Sequence, residues 1–141
     1  MTLEELLDDY RTLPEYLGLD LKGIEQVSHF GDRPIHVAAT RGAIAELSIL
    51  AAAGANLDAA GEHGYTALHC AVEQGAMDAV LWLLSHGADP SQRNMHEDSP
   101  QELARLLDED DIANVLENFG KARDEGARNG IGPAGWTNSK R

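Results

Sequence analysis

The chain has 141 residues, with 11 basic against 24 acidic side chains and a net charge of −13. A body this acidic repels nucleic acid and anionic membranes and attracts cationic partners. Its one cysteine, Cys70, excludes an internal disulfide framework, and no apolar run is long enough to span a bilayer.

Residues 2–11 read as a helix. Thr2 stands as the N-cap, Glu4 and Glu5 fall in the first turn, and Leu3, Leu6, Leu7 and Tyr10 share one face. The opening residues are acidic where a secretory leader would be basic, so a cytoplasmic protein is expected. Pro14 interrupts the helix. Leu17, Leu19, Leu21 and Ile24 follow among Gly18 and Gly23 without a pattern that assigns an element. In the next stretch, Pro34 suits the first position of a helix that Gly42 ends, and a second helix carrying Leu47, Ile49 and Leu50 closes at Gly54. Thr66 then caps a helix with Leu68, Cys70 and Ala71 inward. Val80, Leu83 and Leu84 form the buried face of its partner, with Trp82 expected in the layer between them. Ser99 caps a third such helix and Pro100 starts it, with Leu103, Ala104 and Leu107 inward. Ile112, Val115, Leu116 and Phe119 line its partner. Beyond Gly120 the periodicity stops, and residues 121–141, carrying +3 from five basic and two acidic residues, read as largely disordered. Trp136 is the one large aromatic side chain there.

These stretches are copies of one unit. Gly31 and Gly64, His36 and His69, Ala38 and Ala71, Gly42 and Gly75, and Gly54 and Gly87 are each 33 positions apart. A further step of the same size sets Ser99-Pro100 opposite Thr66-Ala67 and Ala104 opposite Ala71. A fixed period in this range marks a stacked repeat protein.

The stretches Thr66-Ala67-Leu68-His69-Cys70-Ala71-Val72-Glu73-Gln74-Gly75 and Arg33-Pro34-Ile35-His36-Val37-Ala38-Ala39-Thr40-Arg41-Gly42 resemble the T-P-L-H-x-A-A-x-x-G signature of the ankyrin repeat, each followed by Gly-Ala-Asp or Gly-Ala-Asn. The resemblance implies an all-α solenoid of about three helix-turn-helix repeats with short turn fingers over residues 27–119. Residues 1–26 would then form an N-terminal helical cap, and residues 120–141 a flexible basic tail. The third copy departs from the signature, with Gln101-Glu102 for Leu-His and Asp108 for Gly, as a terminal repeat with one face to water would. The resemblance also implies that His69, and with it His36, is a structural residue tying one repeat's turn to the next.

Catalytic groupings are absent from the pattern. No two of the six histidines share a helical turn at ligand spacing, and Cys70 sits in a core slot without an activating neighbour. The acidic run 108–111 lies at a helix–helix turn, where carboxylates favour the next helix's N-terminus, and it lacks the spacing of a calcium loop. No enzyme, metal site, cofactor or small-molecule substrate is expected. What remains is recognition of a protein. The slots that carry contacts in the resembled family fall on His29, Phe30, Asp32, Thr40 and Arg41 in the first repeat. They fall on Glu62, His63, Tyr65, Glu73 and Gln74 in the second, and on Met95, His96 and Asp98 in the third. Phe30 and Tyr65 are the natural anchors. Asp32, Glu62, Glu73 and Asp98 would steer a basic partner. The expected function is that of a monomeric, dedicated inhibitor or immunity-type antagonist of one protein. A general adaptor that links several partners is the alternative.

Overall fold

The computed structural model describes residues 1–128. Among the described residues the regular elements are helices: α1 (Leu3–Tyr10), α2 (Pro34–Thr40), α3 (Ile44–Ala52), α4 (Ala67–Glu73), α5 (Met77–Ser85), α6 (Pro100–Leu106) and α7 (Asp110–Arg128). The starts of α2, α4 and α6 and the starts of α3, α5 and α7 each advance by the same 33 residues. The sequence period is therefore also the structural period.

Local chemistry sets the boundaries. Thr2 Oγ1 accepts the Glu5 N–H at 3.2 Å while Glu5 Oε1 accepts the Thr2 N–H at 2.8 Å. Ser99 and Glu102 repeat that reciprocal cap at 3.2 and 2.8 Å, so two orphan amides are satisfied at each start. Between the helices of a pair the chain turns through a left-handed residue. It is Gly42 at φ 63°, Gly75 at φ 66° and, in the third pair, Asp108 at φ 60°. Asp110 and Asp111 occupy the first turn of α7, where the expectation for the acidic run put them.

The short helices α2, α4 and α6 pack side by side in one row, and each packs on its partner α3, α5 or α7 behind it. Alanine makes this possible: Ala38, Ala39, Ala67, Ala71, Ala79 and Ala104 are fully buried, so backbones approach closely while Leu47, Leu50, Leu68 and Leu83 fill the layer. α1 packs against α3. Leu6, Leu7, Tyr10, Tyr16 and Leu21 are buried with it, so the N-terminal segment packs onto the first repeat.

Three details depart from the sequence reading. Trp82 is half-buried rather than enclosed between helices, and its indole stacks on His86 of the following turn at 3.8 Å and 17°. The unassigned stretch after α1 opens with a 3-10 turn at Pro14–Tyr16, and the Tyr16 hydroxyl lies 2.9 Å from the Gln26 carbonyl and 3.0 Å from that of Asp32. Helix α7 does not stop at Gly120 but continues to Arg128, into the segment expected to be disordered. The Lys121–Glu117 ion pair at 2.9 Å spans that glycine, and Arg105 of α6 pairs with the same Glu117 at 2.8 Å. Trp136 lies outside the described residues. Among those residues no helix is long and apolar enough to cross a membrane.

Candidate partner-binding surface

Each repeat reaches its first helix through a finger of five residues, and the three fingers are built alike. The Ser28 N–H donates to Asp32 O at 2.7 Å, Gly61 N–H to Tyr65 O at 2.8 Å, and Asn94 N–H to Asp98 O at 3.0 Å. Asn94 Oδ1 accepts the His96 and Asp98 amides at 2.8 and 3.1 Å, and Ser28 Oγ accepts those of Phe30 and Asp32 at 3.2 and 3.1 Å. Gly61 has no side chain to do this, and none would fit. A β-carbon there would collide with the Asp32 carboxylate and lie 2.9 Å from the His36 ring.

The two buried histidines tie an inner helix to the chain of the next repeat, His36 to Ala59 just before the second finger and His69 to Asp98 at the end of the third. His36 Nδ1 accepts the Arg33 N–H at 2.9 Å, so its Nε2 carries the proton and donates to Ala59 O at 2.8 Å. His69 repeats this with Thr66 N–H at 3.1 Å and Asp98 O at 2.9 Å. Burial is the main cause that holds both imidazoles below the ordinary histidine pKa, that is, in the neutral form this geometry requires. The structural role implied for them is what the geometry shows.

The fingers and inner helices of the first two repeats line an open cavity of about 210 Å³. Asp32, Thr40, Glu62, His63, Tyr65 and Glu73 surround it, with Cys70 at its floor. Six of the thirteen expected contact residues thus meet in one place. Three are carboxylates, and Glu62 and Glu73 are exposed. Cys70 is 6% exposed, and burial pushes its thiol up to about 12, so it contributes shape rather than a nucleophile.

The other seven are placed differently. Phe30 and Met95 project from the first and third fingers, 55% and 72% exposed. His96 faces His63 with ring centroids 6.5 Å apart. His29 sits beside the N-terminal segment, its Nε2 2.7 Å from Leu17 O. Gln74 is exposed at the end of α4. Arg41 is turned away and occupied: it pairs with Glu46 at 3.3 Å and Asp9 at 3.6 Å and lies 5.5 Å over the Tyr10 ring. It fastens α1 to the first repeat. Asp98 lines a second cleft, about 380 Å³, with Gln101, Glu102, Arg105 and Leu106.

Leu106 and Leu107 are what the sequence reading missed. They occupy the slots held by Thr40 and Arg41 in the first repeat and by Glu73 and Gln74 in the second, and they are 67% and 44% exposed. Leu107 thus lies at the surface and not inward, because α6 ends one residue before it. One further step of 33 from Glu73 would have found them. A wider cleft, about 530 Å³, lies near Pro90, Ser99, Leu116 and Gly120 and has its arginines engaged, Arg93 with Glu102 at 2.7 Å and Arg123 toward Asp89 at 3.8 Å. Among the described residues no three His, Cys, Asp or Glu side chains are grouped as a metal site would need.

Residues 5–94 match the family model for ankyrin repeats in three copies. The chain belongs to the ankyrin repeat family. The match begins inside α1, so the family pattern reaches back into the segment that reads as a cap, and it ends before α6. Two curated relatives are similar in part. An intracellular phospholipase A2 of Caenorhabditis elegans is 33% identical over 82 residues, which is 55% of this chain and 8% of that protein. The human transient receptor potential cation channel subfamily A member 1 is 38% identical over 55 residues, 39% of this chain and 5% of that protein. The chain therefore spans less than a tenth of either relative. Ankyrin repeats are generally protein–protein interaction modules and typically not enzymes, and that coarse function follows from membership.

Proposed function

We propose that this ankyrin stack binds one protein through the face made by its fingers and inner helices, and that binding inhibits or neutralises that protein. The observation that carries the reading is the meeting of Asp32, Glu62 and Glu73 around one cavity, with the exposed Phe30 on the same finger as Asp32. An acidic concavity on a chain of net charge −13 favours a partner with a basic surface and speeds its approach. Nucleic acid and anionic membrane are disfavoured by the same field. The monomer, in a cytoplasmic setting, is the form this reading assigns to the protein.

The test is capture of partners from native lysate at low and moderate salt, followed by kinetics with the purified partner and an assay of that partner's own activity. Three baits are used: the natural chain, Phe30→Ala/Tyr65→Ala, and Glu62→Gln/Glu73→Gln. The expected result is one stoichiometric partner, lost with the first variant, whose association rate falls on the order of tenfold or more with salt and less so for the second variant. A partner whose activity is unchanged when bound ends the inhibitor reading. Several substoichiometric partners would establish an adaptor instead, and a single partner indifferent to both variants would move the site off this face.

A further inference from the structure

The concave face changes character along its length, and the change has no packing reason. Thr40, Glu73 and Leu106 are the last residues of α2, α4 and α6, and so line up along the inner row. The series runs polar, acidic, apolar. A terminal repeat should become polar on its open end, and this one has done so. Gln101, Glu102 and Arg105 stand where α4 buries Leu68, His69 and Val72. Glu102 pairs with Arg93 at 2.7 Å and Arg105 with Glu117 at 2.8 Å, so stacking a further repeat there would bury charged side chains. Leu106 and Leu107 escaped that conversion although their slots are surface slots in both inner repeats. Met95, from the third finger, is exposed at the same end of the row.

We infer that the partner element is a segment with a basic block beside a large apolar block, the cations seated over Glu62 and Glu73 and the apolar side chains over Leu106 and Leu107. This rests on the binding function proposed above and specifies its ligand. Complementarity sets the choice: a purely basic segment would leave the two leucines in water, and a purely apolar one would desolvate the carboxylates unpaired. Neighbouring helices of such a row are about 10 Å apart. That distance equals roughly three residues of extended chain or about two turns of helix. The expected motif is therefore Lys or Arg followed or preceded, at that spacing, by Leu, Ile, Met or Phe.

A display library of random twelve-residue peptides, selected on the full chain, tests this without knowing the natural partner. Enriched peptides should carry both blocks at that spacing. Affinity is then read by fluorescence anisotropy against salt. Leu106→Ser/Leu107→Ser should weaken binding at least tenfold and leave the salt dependence unchanged. Glu62→Gln/Glu73→Gln should weaken it at low salt and flatten the salt dependence. Thermal melts of both variants confirm that they are folded. The inference is overturned if nothing is enriched, if the enriched peptides lack either block, or if the leucine variant binds as the natural chain does. It is also overturned if the natural chain dimerises in sedimentation and the leucine variant does not, because the leucines then serve a second copy. A captured lysate partner that is lost with the glutamate variant but kept with the leucine variant leaves the proposed function standing and removes only this refinement.

Discussion

His69 shows how one side chain can be fixed by two amides' worth of geometry. Its ring must be neutral to accept at Nδ1 and donate at Nε2, and it has no exposed surface. Burial lowers its pKa in the folded chain, whereas the unfolded chain titrates near the reference value of 6.5. Below that value the unfolded state binds a proton that the native site refuses. The contribution to stability is therefore full above about pH 6.5 and is lost as pH falls toward the depressed folded value, at up to about 1.4 kcal/mol per pH unit for each such histidine. Urea melts at pH 7 and pH 5 should show His69→Gln less stable at pH 7 and less sensitive to the change than the natural chain. Equal sensitivity would show that the imidazole does not carry the effect. Glu97 is a second residue-scale case. It sits at φ 65° where the other fingers have Gly31 and Gly64, and a left-handed conformation costs a side chain about 1–2 kcal/mol. Glu97→Gly should raise stability by about 0.5–1 kcal/mol after the greater chain entropy of glycine is offset. Asp108 should gain less, since aspartate tolerates that region. A destabilised Glu97→Gly protein would refute the strain.

At the scale of elements, punctuation decided what the sequence could reveal. Pro34, Thr66, Ser99 and Pro100 mark helix starts, and the α1 face was readable from Leu3, Leu6, Leu7 and Tyr10, because these signals are local. The 3-10 turn at Pro14–Tyr16 was not readable, since what buries Tyr16 is the distant backbone of Gln26 and Asp32. Gly120 misled for the opposite reason. A glycine inside a helix costs only about 1 kcal/mol, which the packing of α7 on α6 through Ile112, Ala113 and Leu116 can offset. The candidate surface was half readable: the slots implied by the family resemblance include the six residues around the acidic cavity, while Arg41 was withdrawn by Glu46, Asp9 and Tyr10, partners far off in sequence or across a turn. The burial of α1 makes a firm prediction. Leu7→Ala should cost about 3 kcal/mol in chemical denaturation, as a buried core leucine does. A change near zero would mean that the N-terminal segment is an appendage and not packed onto the first repeat.

For the molecule as a whole, charge and architecture divide the labour. The ion pairs are mostly exposed and isolated, and such pairs contribute little to stability. The acidic excess is thus free to act outward, on what approaches. Stability comes from the alanine-spaced rows and from bonds between adjacent repeats: His36 to Ala59, His69 to Asp98, Glu62 N–H to Asp32 Oδ1 at 2.9 Å, and Asp89 N–H to Asp58 Oδ1 at 2.8 Å. Each reaches one repeat along and no further, so energy is summed over neighbours.

That ladder has a mechanical meaning. A tension applied between the two ends meets the repeats in series, since the bonds named above join only neighbours. The chain should lengthen in discrete steps of one repeat, each freeing roughly 110 Å of contour at about 3.3–3.6 Å for each of its residues. The third repeat, with Glu97 and Asp108 both held in left-handed turns, should yield first. Optical-trap extension traces would show a sawtooth of such steps, and a single long rip would mean that the stack yields as one block.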